Sequence, residues 1–192
     1  MAIAGSAGEI TRLLGALKRG DANAQSRLMN LVYSEFHARA AHYMRSERPD
    51  HSLQPTELVN EAYLRMMQNQ VIDFQSRAHF FATASIAMRR VLVDHARSRA
   101  AAKRPGGKAR VDFNDFMAAD SPRLDQMLIL DEALTRLSEM DPRQARLVEM
   151  IYFGGLSQEE AATVLGISAR TVKRDWSSAR AWLQTELDRP RP

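Results

Sequence analysis

The sequence of 192 residues contains no cysteine, which excludes disulfide bonds, thiolate zinc sites and cysteine nucleophiles. It contains no run of about 20 apolar residues that could cross a membrane. The first eight residues lack the basic start and the long apolar stretch of a secretory signal. We therefore expect a soluble protein of the cytoplasm.

The sequence also lacks recognisable catalytic and metal-binding patterns. Its five histidines show neither pairing at i, i+4 nor an HExxH arrangement, so no metal site is expected. Gly107-Lys108 resembles the end of a phosphate-binding loop, but Ala109 replaces the required hydroxyl and Ala102 replaces the leading glycine. Because no nucleophile is paired with a base, we predict that the protein is not an enzyme and uses no cofactor.

What is present is an excess of positive charge on a chain with an ordinary apolar content. The formal net charge is +4, and 45% of the residues are hydrophobic. A basic chain favours an anionic partner. Charge alone does not separate nucleic acid from an acidic protein or membrane, so the distribution of the basic residues must decide.

Nearly every segment has helical periodicity, and strand-like alternation is almost absent. The predicted fold class is all-α, with two small helical domains. The change of composition at Lys103-Arg104-Pro105-Gly106-Gly107-Lys108 and the polar residues after it indicate a flexible linker. The predicted division is an N-terminal domain over 9–103, a linker over 104–123 and a C-terminal domain over 124–188.

The C-terminal domain contains a predicted helix-turn-helix. Ser157-Gln158-Glu159-Glu160 forms a capping box at the start of one helix, and Ser168 caps the next. Between them, Gly166 suits the positive φ of a tight turn, and Ala162 allows the two helices to approach each other. We expect duplex DNA to be read by the first turns of the second helix, through Ser168, Ala169, Arg170, Thr171, Lys173 and Arg174. A structural helical hairpin with a solvated basic face is the less favoured interpretation.

The N-terminal domain has its own basic helix. Eight lysines and arginines lie between Arg89 and Arg110, and such a concentration suits the phosphate backbone of nucleic acid. Phenylalanines just upstream could stack on exposed bases. A buried aromatic cluster followed by a solvated basic tail explains the same pattern equally well.

From about Glu9 to Leu187 the chain resembles the extracytoplasmic-function (ECF) sigma factors of bacterial RNA polymerase. The resemblance rests on both domains, the linker and the order of the motifs. Within that family, it resembles a subgroup whose N-terminal domain contains Phe80-Phe81-Ala82, then Met88-Arg89-Arg90-Val91-Leu92-Val93-Asp94-His95-Ala96-Arg97. It implies a protein that binds core polymerase and directs promoter-specific initiation.

The resemblance implies two sites in the N-terminal domain. The segment from Thr56 to Arg65 would dock on the clamp helices of the largest polymerase subunits. Helical geometry places on one stripe Glu57, Asn60, Glu61, Leu64 and Gln68. The second site would meet and melt the minus-ten promoter element through Phe74, Phe80, Phe81, Arg89, Arg90, His95 and Arg97. The usual tryptophan-containing run of the family is absent, so the residue that captures the flipped base stays open.

The helix-turn-helix would read the minus-thirty-five element, and an anti-sigma factor or another regulator could act in trans. Two other classes share the helix-turn-helix. A response-regulator output protein would need a phospho-acceptor domain of alternating strands and helices. The sequence of residues 1–103 shows no such alternation. A recombinase or transposase would need a catalytic serine or a carboxylate cluster in a mixed fold.

Overall fold

The computed structural model describes residues 3–44, 53–68, 74–102 and 124–189, and these residues form eight α-helices and no strand. The predicted all-α class is therefore confirmed. The helices are α1 (Ile3–Lys18), α2 (Ala22–Met44), α3 (Pro55–Gln68), α4 (Arg77–Ala102), α5 (Leu124–Met140), α6 (Pro142–Tyr152), α7 (Gln158–Leu165) and α8 (Ala169–Leu187). The predicted linker, 104–123, lies outside the described residues, so the division into two domains stays a prediction.

Polar residues just before the helices set where they begin. Asp21 precedes α2, and its side chain accepts the backbone N–H of Asn23 at 2.9 Å. Ser76 precedes α4 and accepts the N–H of His79 at 3.2 Å. Each bond satisfies a donor at a helix start that has no partner within the helix. Asp21 and Ser76 therefore mark the starts of α2 and α4.

Aromatic and aliphatic side chains of α1 to α4 form the core of the N-terminal part. Helix α4 packs on α3 and α1, and α2 packs on both α1 and α3. Phe80 and Phe81 are fully buried at 0% and 1% exposure. Both contact Phe36 of α2, with ring centroids 5.8 and 5.1 Å apart. These rings hold α2 against the first half of α4.

The C-terminal part is a four-helix unit with well-defined ends. Asp141 caps α6 by accepting the N–H groups of Arg143 and Gln144. Ser157 and Glu160 form the predicted capping box of α7, with both reciprocal bonds present. Gly166 ends α7 with φ of 66°, the left-handed conformation that the turn requires. The predicted helix-turn-helix is thus the local structure of α7 and α8.

The two parts pack directly on each other. Helix α4 contacts α5, α6 and α7, and the buried apolar cluster extends through both parts. At Gly154 the chain passes so close to α4 that an added Cβ would lie 3.0 Å from the Ser85 Cβ. In this structure the long basic helix α4 is therefore covered along one side by the C-terminal helices.

The turn at Gly166 yields a stability prediction. Gly166→Ala should lower the free energy of unfolding by roughly 1 kcal/mol, because alanine is strained at positive φ. Gly166→Asn should lower it less, since asparagine tolerates this region better. Urea denaturation followed by circular dichroism measures both values.

Gly8 provides the control, because it lies within α1 with no atom near an added Cβ. Gly8→Ala should raise stability by roughly 0.5–1 kcal/mol. Equal stability of Gly166→Ala and the unchanged protein would contradict the proposed need for glycine.

Candidate nucleic-acid interface

The N-terminus of α8 is held by Ser168, whose Oγ accepts the backbone N–H of Thr171 at 3.1 Å. On the inward face of α8, Val172, Ala179 and Leu183 are all completely buried. Their burial fixes the rotation of the helix about its axis. As a result the polar face of the first two turns is directed to solvent.

The structure places the predicted duplex-reading residues together on that outward face. Exposed side chains belong to Ser168, Ala169, Arg170, Lys173 and Arg174, and Thr171 is half-buried. Three of these six side chains carry a positive charge. An exposed cationic face at the start of the second helix of this motif is the geometry that enters the major groove.

Sequence reasoning missed Asp175, a buried residue beneath this surface. Its side chain is 2% exposed, and its carboxylate accepts from Arg143 Nε at 2.8 Å and from Arg174 Nη2 at 3.2 Å. The signal was available, because Asp175 lies three residues after Val172 and four before Ala179. An acidic residue on a buried stripe requires a cationic partner.

The proposed minus-ten residues divide into buried and exposed groups. Phe80 and Phe81 lie in the core, and Phe74 is 9% exposed with its ring 4.9 Å from that of Phe80. In this arrangement none of the three rings can stack on a base without a movement of the chain. Arg90 is exposed, and His95 is half-buried.

Arg89 bridges the two parts of the molecule. Its guanidinium donates to Asp131 of α5 at 2.7 Å and also to Glu149 of α6. All three side chains are only 14% exposed. Arg97, which is 64% exposed, reaches the second oxygen of Asp131 at 3.0 Å. Two of the predicted DNA-binding arginines are therefore paired with carboxylates of the C-terminal part.

A second bridge joins the start of α4 to the helix-turn-helix. Arg77, with 12% of its side chain exposed, pairs with Glu35 of α2 and with the capping residue Glu160 of α7. Nearby, Arg39 donates to the carbonyl of Gly155 at 3.0 Å. Burial lowers the pKa of this arginine below its ordinary value.

The predicted docking stripe forms a continuous outward face on α3. Glu57, Asn60 and Glu61 are exposed, and Leu64 is 57% exposed. Leu58, Ala62 and Met66 line the opposite, buried face. Glu61 pairs with Arg65 at 2.6 Å, while the side chain of Gln68 lies outside the described residues. Four of the five predicted docking residues are thus displayed on one surface.

Within the described parts of the chain, no cluster of three or more histidine, aspartate or glutamate side chains could hold a metal ion. Among the helices described, none is long and apolar enough to cross a membrane.

The family comparison agrees with this geometry. A family model described as ECF sigma factor matches residues 7–189, which include both helical parts. The chain belongs to the ECF sigma factor family. It is a sigma factor that directs promoter-specific transcription, with core RNA polymerase and promoter DNA as its partners. The response-regulator alternative is not favoured. No curated protein matches the chain.

The Arg89 bridge gives a prediction about the stability of this sigma factor. Arg89→Met should lower the free energy of unfolding by roughly 2 kcal/mol, because Asp131 and Glu149 would keep their partly buried charges without this partner. Arg90→Met is the matched control, since the neighbouring side chain is exposed. It should change stability by less than about 0.5 kcal/mol.

Urea titration of the full chain measures both variants. Equal losses in the two variants would contradict a specific role for Arg89 in joining the two parts.

Proposed function

We propose that three surfaces of this sigma factor divide the work of initiation. The outward face of α8 reads the minus-thirty-five element as duplex, α4 and the segment before it meet the minus-ten element, and the stripe on α3 docks on the clamp helices of the polymerase. The protein itself carries no catalytic group in this scheme, since the polymerase performs the chemistry. We place this function in the cytoplasm, where the polymerase acts.

The observation that carries the minus-thirty-five assignment is the exposed cationic face of α8. Arg170 and Arg174 have the chemistry for two-pronged bonding to guanine, and Lys173 for guanine or phosphate. The buried side chains opposite them hold the helix rotation. A fixed helix with two arginines in its first two turns favours base contacts over purely non-specific attraction.

For the minus-ten element, the burial of the three phenylalanines indicates which ring is the best candidate to stack on a base. Phe80 and Phe81 would act from the core, supporting the start of α4. Of the three phenylalanines Phe74 is the least buried, at 9% exposure, so we propose it as the ring that moves to stack on the flipped base. Stacking is worth about 1–3 kcal/mol per base, which would help to offset the cost of unstacking.

The docking assignment is supported by the exposure of Leu64 amid acidic and amide side chains. The large apolar side chain of Leu64 is 57% exposed in the free chain. A partner that removed it from water would gain binding free energy. The surrounding carboxylates repel DNA phosphates. A protein surface with basic residues therefore suits this stripe better than nucleic acid.

Two variants should separate docking from promoter reading. Leu64→Arg should weaken binding to core polymerase roughly tenfold and leave binding of duplex DNA intact. Arg174→Ala should weaken promoter use roughly tenfold and leave polymerase binding intact. Fluorescence anisotropy measures binding to core polymerase and to duplex DNA separately, and run-off transcription measures promoter use.

Loss of duplex DNA binding in Leu64→Arg, or loss of polymerase binding in Arg174→Ala, would contradict this division of labour. If the unchanged chain bound duplex DNA tightly but added no promoter-specific transcription to core polymerase, the whole assignment would fail.

Simultaneous reading of the two promoter elements requires the two parts of the chain to separate. The elements lie about 25 base pairs apart by their names, or roughly 85 Å at about 3.4 Å per base pair. A compact body of 192 residues is only roughly 40 Å across. We infer that the packed arrangement is that of the free protein and that binding to polymerase opens it, releasing Arg89 and Arg97 for phosphates.

This opening can be measured by energy transfer between two dyes. Because the chain has no cysteine, Ser26→Cys on α2 and Ala181→Cys on α8 introduce unique labelling sites at exposed positions. Transfer should be efficient in the free protein and should fall when core polymerase is added. The Leu64→Arg variant should keep high transfer at the same polymerase concentration.

Unchanged transfer in a polymerase complex that initiates transcription would contradict the opening.

The subgroup assignment and the regulator are also proposals. The run from Phe80 to Arg97 supports the subgroup with the Phe-Phe-Ala and Met-Arg-Arg-Val-Leu-Val-Asp-His motifs. An anti-sigma factor acting in trans would inhibit most directly by covering the α3 stripe or by holding α4 against the C-terminal helices.

A further inference from the structure

Asp175 is a buried anion within a helix whose outer face is cationic. It is 2% exposed and lies on the inward stripe of α8. Moving a carboxylate out of water costs several kcal/mol unless cations and hydrogen bonds compensate. An apolar residue of similar size would avoid that cost, so stability alone gives no reason for aspartate at this position.

Both carboxylate oxygens of Asp175 bond to arginines. Oδ2 accepts Arg143 Nε at 2.8 Å. Oδ1 accepts Arg174 Nε at 3.3 Å and Arg174 Nη2 at 3.2 Å. The two arginines belong to different helices, since Arg143 lies at the start of α6 and Arg174 in the second turn of α8. One buried anion thus holds two cations from separate elements beside each other.

The arginine heads remain accessible despite this anchor. The side chain of Arg143 is 45% exposed and that of Arg174 is 73% exposed. The hydrogen bond from Arg143 to Asp175 uses Nε, so the two Nη atoms of this arginine take no part in the bond. Its terminal N–H groups therefore have the geometry to donate to a phosphate while Nε stays on the carboxylate.

We propose that Arg143, which lies outside the helix-turn-helix, contacts a DNA phosphate at the edge of the minus-thirty-five site. Asp175 is the positioning residue that orients both Arg143 and Arg174. This inference rests on the proposed function of α8. It adds Arg143 of α6 to the DNA-binding surface of the protein. It also gives the buried carboxylate of Asp175 a role in orienting Arg174, which we propose reads bases. Fixing a long side chain before binding reduces the entropy lost on binding.

The test uses holoenzyme assembled from the full chain and core polymerase. Its DNA is a promoter fragment on which this holoenzyme initiates transcription in vitro. Affinity is measured at several salt concentrations. Arg143→Ala should weaken binding roughly tenfold and lower the magnitude of the salt slope by about one, as expected for the loss of one phosphate contact. Arg143→Lys should retain the slope, because the charge remains, and lose part of the affinity.

Arg146→Ala provides the matched control on α6, since Arg146 is exposed and the side-chain bonds of Asp175 go to Arg143 and Arg174. It should leave both affinity and slope unchanged. If Arg143→Ala behaves like Arg146→Ala while Arg174→Ala weakens binding, this inference fails and the proposed function stands. If Arg174→Ala also has no effect, the assignment of α8 itself fails.

Asp175→Asn tests the positioning role. Removing a negative charge near DNA would by itself strengthen binding, whereas loss of the anchor should weaken it several-fold without reducing the salt slope, since no cation is removed. Unchanged or stronger binding would overturn the positioning role. Thermal denaturation of the same variant checks that it folds, and the Arg143 variants test the phosphate contact independently of Asp175.

Discussion

The arrangement of this sigma factor depends on Arg89 and the carboxylates of Asp131 and Glu149. A guanidinium that is 14% exposed can remain charged between two helices only where anions face it. Asp131 comes from α5 and Glu149 from α6, so this contact fixes α4 against both helices at once. The side chain therefore joins two parts of the chain that are separated by the predicted linker.

This contact has a functional consequence because carboxylates and phosphates compete for the same cations. While the guanidinium of Arg89 is paired with Asp131 and Glu149, it is not free to bind a phosphate. The pairing also satisfies charges that would otherwise repel each other along α4. We infer that such an arrangement weakens the non-specific attraction of the free protein to DNA, because the strength of that attraction depends on the number of exposed cations. In the opening that we propose, the polymerase would hold the two parts of the chain at separate places.

Much of the fold could be predicted because its signals are local. The cap at Ser157, the glycine at 166 and the cap at Ser168 each act within a few residues, and the structure has all three as expected. The exposed stripe on α3 followed from helical spacing alone. The contacts of Arg89 with Asp131 and Glu149 could not be predicted, since these partners lie 42 and 60 residues away in the sequence. Nothing in a basic helix reveals whether its cations face a phosphate or a distant carboxylate.

For the phenylalanines, too, the sequence does not distinguish a binding residue from a structural one. Phe80 and Phe81 fit a base-stacking segment and a buried core equally well by sequence, and burial at 0% and 1% identifies them as core in this arrangement. Asp175 is the opposite case, since its position on a buried stripe already required a cationic partner, but the spacing did not identify Arg143. One partner, Arg174, is the residue immediately before Asp175 in α8, whereas the other, Arg143, belongs to α6 and lies 32 residues away in the sequence. A buried anion can orient cations on a binding surface only where a neighbouring helix brings one within reach, as α6 does here.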